Sequence, residues 1–229
     1  MIARCGEVRM KHWAHRGRRR CDPWWENETE WHRTWKDHFP SEWQEIGHTS
    51  PSGERHIADV KTARGRFIEF QHSRLVPAER RSREEFYNPL VWVVDGTRIA
   101  RDRTQFMRAY RDGVPLVSGS LLRSVFTSES RLLREWSGSA VSVFVDFGEA
   151  PALWLVCPHS SSLSSYLHPV SRHDFIEWHR NPDSPSARQF DSFVYDLPRE
   201  IARFELLRQR ERSTSVGRGV RHDRRRFRF

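Results

Sequence analysis

The apolar positions of the chain fall into short runs divided by turn residues, and the period of each run predicts an element. Ile57–Val60 and Phe67–Phe70 flank Thr62-Ala63-Arg64-Gly65, which predicts a β-hairpin over Arg55–His72. Leu90–Val94 is apolar throughout and of strand length, the pattern of a fully buried central strand. Ala140–Phe147 and Ala152–Cys157 lie on either side of Gly148-Glu149-Ala150-Pro151 and predict a second hairpin. Helical spacing marks residues 24–39, behind Asp22 as N-cap and Pro23 at the first helical position. It marks Val76–Tyr87, 97–112, Pro169–Arg180 with Ser171 as N-cap, and Leu197–Gln209 as well. Arg123–Trp136 fits either period. Pro158–Ser165 and Asn181–Ser186 lack one and are expected as loops.

Two of these elements carry carboxylates in positions that need explaining. Strand side chains alternate, so Glu69 and Gln71 share one face of the hairpin while Ile68 and Phe70 take the other. A short turn sets Asp59 opposite Glu69, or one place off, where like charges repel. A divalent cation would answer both the repulsion and the burial of Glu69; a solvated face paired to Arg66 or Lys61 is the plainer alternative. On the 24–39 helix, Trp24, Trp25, Trp31, Trp35 and Phe39 form one sector, with Glu28 and His32 inside it. Glu28 there calls for a cation or a bound ion, or else pairs with His32 at i,i+4. Glu79, Arg83 and Tyr87 form a polar stripe on the next helix. From it Arg83 could reach a site carboxylate or a phosphate, or simply pair with Glu79.

Charge adds a polyanionic partner to this picture. The formal net charge is +9 and the pI about 10.3. From Arg208 to Phe229, however, nine Arg stand against only Glu211 and Asp223, so the rest of the chain is close to neutral. That segment, with Phe227 and Phe229 among its arginines, is expected to be disordered alone, and either solubilises the chain or holds nucleic acid. No apolar run reaches membrane-spanning length and no signal-peptide pattern is present, so a cytoplasmic protein is expected. Cys5, His12, His15 and Cys21 are zinc-ligand types but lack a close Cys-x₂-Cys pair.

The series His12-Trp13-Ala14-His15, Glu28-Thr-Glu-Trp-His32, Ala58-Asp59-Val60, Glu69-Phe-Gln71-His-Ser73, Arg83, Tyr87 and Val91-Trp-Val-Val-Asp95 resembles the competence protein CoiA-like family. The nuclease region of that family belongs to the PD-(D/E)XK superfamily. The resemblance covers roughly residues 9–97. It implies an α/β, restriction-endonuclease-like mixed sheet flanked by helices over 24–112. The residue pattern beyond predicts an accessory α+β region over 113–207 and the Arg-rich tail over 208–229. The basic segment 1–23 would be a truncated zinc-binding motif, since similar proteins carry a Cys pair upstream.

The activity so implied is Mg²⁺- or Mn²⁺-dependent cleavage of DNA, linked to processing of incoming DNA, by a protein that could act as a homodimer. Glu28, Asp59 and Glu69 would be the catalytic metal ligands, with Gln71 where most of the superfamily has a catalytic Lys. Arg83, His32 and Tyr87 would contact nucleic acid. A neutral amide in place of an ammonium also admits a second reading, a nucleic-acid-binding protein that kept the fold and lost cleavage.

Overall fold

The structure is a computed structural model and describes residues 2–4, 12–14, 24, 28–148, 152–158 and 163–223. Ile2–Arg4 (β1) and His12–Ala14 (β2) pair as an antiparallel ribbon apart from the main sheet. Of the zinc candidates, Cys5, His15 and Cys21 lie outside the described residues, and His12 is placed only as the first residue of β2.

The first helix is shorter than its apolar sector suggests. It spans Glu30–Lys36 (α1), and Thr29 is its N-cap. Thr29 Oγ1 accepts from His32 N at 3.3 Å while His32 Nδ1 accepts from Thr29 N at 3.3 Å. That reciprocal box satisfies two end donors at once and fixes the start there rather than behind Asp22-Pro23, which lie outside the described residues. Glu28 therefore precedes the helix and is exposed, not buried within its apolar face.

Gln44–Thr49 (β3), Arg55–Lys61 (β4) and Phe67–Gln71 (β5) form an antiparallel meander. The β4–β5 turn closes through Gly65, whose φ of +78° suits a residue without a Cβ. Pro77–Phe86 (α2) then crosses to Leu90–Asp95 (β6), which runs parallel to β5. Ala100–Asp112 (α3), Val114–Pro115 (β7), Arg123–Phe126 (β8) and Arg131–Trp136 (α4) follow. Val143–Asp146 (β9) is parallel to β6. Ala152–Val156 (β10) and Ser164–Ser171 (β11) continue antiparallel, then Arg172–Arg180 (α5) and Pro185–Asp223 (α6) close the fold.

The result is an α/β protein on a mixed nine-stranded sheet, ordered β3-β4-β5-β6-β9-β10-β11-β8-β7. Residues beyond 113, expected as an accessory layer, thus extend the sheet begun by β3–β6. Residues 208–223, expected within a disordered tail, continue α6. Among the described residues no helix is long and apolar enough to cross a membrane.

The all-apolar run of β6 works as its pattern implies. Val91 and Val93 pack with Trp35, Phe70, Phe144, Phe175 and Ile201 beneath α1, α5 and α6. Leu90, Trp92 and Val94 pack on the other face with Phe106, Leu133 and Trp136 of α3 and α4. Helix α1 is also tied to a strand far along the chain, because Asp146 of β9 accepts from Trp31 Nε1 at 3.1 Å and Trp35 Nε1 at 2.9 Å.

Candidate metal and phosphate site

The β3–β4 ladder pairs Gln44 with Val60 and Ile46 with Ala58, and the β4–β5 ladder ends at Val60–Ile68. Continuing both registers puts Glu45 and Glu69 on either side of Asp59. Three acidic residues thus share one row across the sheet, and the backbone yields at that row. Glu45 takes a φ of +53°, in the left-handed region that non-glycine residues rarely adopt. Between β4 and β5 side chains replace the missing rungs. Asp59 Oδ2 accepts from Phe70 N at 2.8 Å, and Glu69 Oε1 accepts from Asp59 N at 3.1 Å. Each carboxylate is therefore aimed by the strand that carries the other.

This row opens into a cavity of about 150 Å³, whose lining includes Glu28, His32, Lys36, Asp59, Glu69 and Arg83. Its cations are nearly buried. Lys36 Nζ lies 2.7 Å from Glu28 Oε1 and 3.2 Å from Glu45 Oε1, with the lysine side chain 6% exposed and the two glutamates 40% and 68%. Arg83 Nη1 stands 3.5 Å from Glu69 Oε2, while Nη2 donates to Glu79 Oε1 at 2.6 Å and to the Trp24 carbonyl at 2.9 Å. Burial pushes the Asp59 carboxyl above its ordinary value, against the Phe70 N–H and the charges of Lys36 and Arg83. Burial alone would lower the Lys36 ammonium, but its bonds to Glu28 and Glu45 and the field of Asp59 together raise it.

Four carboxylates line the cavity (Glu28, Glu45, Asp59 and Glu69) against the fixed cations Lys36 and Arg83. The fully ionised site carries two surplus negative charges, and its donors are all oxygen, a set that fits a hard divalent cation. Among the described residues no three His, Cys, Asp or Glu side chains converge on one point. A cation here would accordingly draw on Asp59 and Glu69, with water or phosphate oxygens completing its shell.

The remaining expected residues are distributed unevenly. His32 lines the cavity, but both ring nitrogens are engaged, Nε2 donating to the Phe70 carbonyl at 2.8 Å and Nδ1 turned to Thr29. Gln71 is buried outside the lining, its Nε2 donating to the Ser73 carbonyl at 3.2 Å and Ser73 Oγ at 3.3 Å. Tyr87 is 1% exposed and packed among Trp24, Phe67 and Phe86, so it belongs to the core rather than to a nucleic-acid surface. Two residues of the site had escaped the sequence pattern. Lys36 continues the i,i+4 spacing of Glu28 and His32, which was the available signal. Glu45 had none, since β3 offers only Ile46 as an apolar marker.

No protein-family model, curated protein or solved structure matches the chain.

Proposed function

We propose that the protein is a metal-dependent deoxyribonuclease of the PD-(D/E)XK type, similar to the CoiA-like proteins. One observation carries this reading: Asp59 and Glu69 face each other where β4 and β5 part, each aimed by the other strand's backbone. Opposed carboxylates at the floor of a cavity suit divalent-cation binding better than they suit stability. The bound cation would supply Lewis acidity toward a phosphate oxygen and a more acidic water.

The chain's own residues do the rest. Asp59 and Glu69 would hold the cation. Arg83, braced by Glu79 and the Trp24 carbonyl, stands against Glu69 and orients it. His32 fixes β5 at Phe70 and so keeps Glu69 in register with Asp59. The arginines of residues 208–229 would hold the DNA backbone by charge.

The test is cleavage of labelled linear, circular and single-stranded DNA with Mg²⁺ or Mn²⁺ by the full chain and by Asp59→Asn. Cutting that needs the metal and vanishes in the variant supports the nuclease. DNA binding without cutting under any of these conditions favours the second reading, a non-cleaving nucleic-acid-binding protein.

A further inference from the structure

A phosphate drawn to a cation at Asp59 and Glu69 brings negative charge that β5 does not answer. Gln71, the next residue on the same face, is neutral and donates to Ser73 instead of lining the cavity. The lysine that does line the cavity comes from another element. Lys36 sits on the last turn of α1, buried, and shares the cavity with Asp59 and Glu69.

Its surroundings suit exchange more than permanent pairing. An ammonium has three N–H donors, and Glu28 and Glu45 engage two of those on Lys36. Both glutamates face solvent, so each can leave the ammonium for water at little cost. Glu45 in addition reaches Lys36 from a left-handed backbone, a local cost of the kind that gathers at functional sites.

We propose that Lys36, carried on α1 rather than on β5, contacts a non-bridging oxygen of the DNA phosphate bound at Asp59 and Glu69, and supplies the positive charge that Gln71 lacks. The inference rests on the nuclease reading and deepens it. Glu28 and Glu45 hold the ammonium in place until the phosphate displaces one of them. No proton leaves Lys36 in this role: its charge stabilises the negative charge that accumulates on the phosphate oxygens as the attacking water's oxygen bonds to phosphorus, the water gives up its proton to solvent and the sugar oxygen departs with the P–O bonding pair.

The experiment compares full-length wild type with Lys36→Met, Lys36→Arg, Gln71→Ala and Asp59→Asn. Affinity for a short phosphorothioate DNA duplex in Mg²⁺ is followed against salt, Mn²⁺ binding by calorimetry, and single-turnover cleavage on ordinary duplex. Losing one phosphate contact should flatten the slope of log Kobs on log salt by about 0.9 in Lys36→Met, and leave it unchanged in Lys36→Arg and Gln71→Ala. Cleavage should fall by about 100-fold in Lys36→Met, the scale of one lost transition-state donor, while Mn²⁺ binding stays as in wild type.

Wild-type slope and rate in Lys36→Met, with Asp59→Asn inactive, would overturn the assignment and leave the nuclease standing. A wild type that never cuts, but whose slope still flattens in Lys36→Met, would support the phosphate contact and overturn the nuclease reading instead. If Lys36→Met unfolds, Lys36→Gln carries the same comparison against Lys36→Arg.

Discussion

His32 donates from Nε2 to the carbonyl oxygen of Phe70 at 2.8 Å, from a residue only 4% exposed. A carbonyl can only accept, so the ring is the Nε2–H tautomer and Nδ1 is left to receive the Thr29 N–H. One imidazole therefore joins the cap of the helix bearing Lys36 to the strand bearing Glu69. In His32→Leu the Phe70 carbonyl loses this buried donor, which should cost about 1–3 kcal/mol. Urea unfolding should show a lower midpoint at unchanged slope. His32→Gln, whose amide can still donate, should lose less; an unaltered midpoint in His32→Leu would show that the bond holds nothing.

Asp59 makes the metal-free protein pH-sensitive in a direction opposite to that of an ordinary surface carboxylate. Its folded value is raised by burial, so the folded state binds the proton more tightly than the unfolded one. The stability linked to that proton is present at low pH and is lost as the pH rises through the folded value. In chelator-treated samples Asp59→Asn should melt above wild type at neutral pH, with the gap closing in acid. Mg²⁺ at 100 times its dissociation constant should then stabilise wild type by about 2.7 kcal/mol and leave the variant unmoved. A variant less stable than wild type at neutral pH would contradict this.

His179 should contribute to the acid limb. Burial, with the field of Arg66, lowers it to about 3 from an ordinary 6.5, although the Phe175 carbonyl at 2.8 Å pulls the other way. A depressed imidazole lends stability that is complete above 6.5 and drains away as the pH falls toward about 3. His179→Phe should flatten the melting temperature over that window. An acid limb as steep as in wild type would assign the effect elsewhere.

Glu45 should invert the usual strand preference. Its φ of +53° is open to glycine and strained for alanine. Glu45→Gly should therefore be more stable than Glu45→Ala by about 1 kcal/mol, where an ordinary strand position would favour alanine. Paired thermal melts measure the difference; alanine ahead of glycine would mean the backbone is not held there.

The strands around the site were legible because their chemistry is local. The hairpin turn at Gly65, the continuous run of β6 and the Pro77 start of α2 each follow from a few adjacent residues. Turn length and strand alternation put Asp59 opposite Glu69 or one place off, and the register of β4 on β5 makes them opposite. What could not be read was whatever depends on contacts distant in sequence. Thr29 wins the start of α1 through His32, which is fixed in turn by Phe70 on β5. Lys36 matters because β3 brings Glu45 to it, and β3 carries almost no apolar pattern. Tyr87 shared a polar stripe with Arg83 on the projection, yet it caps α2 and turns into the core.

The clamp of Trp31 and Trp35 on Asp146 sets an order of events during synthesis. Its bonds span 115 and 111 residues, so α1 leaves the ribosome long before its anchor exists. A chain stopped at 112, at the end of α3, would leave both indole N–H groups without that acceptor, with His32 on Phe70 still tying α1 to β5. The basin that gathers Lys36, Asp59 and Glu69 gains this second anchor once β9 has emerged and joined β6, which makes the C-terminal half a support of the N-terminal site.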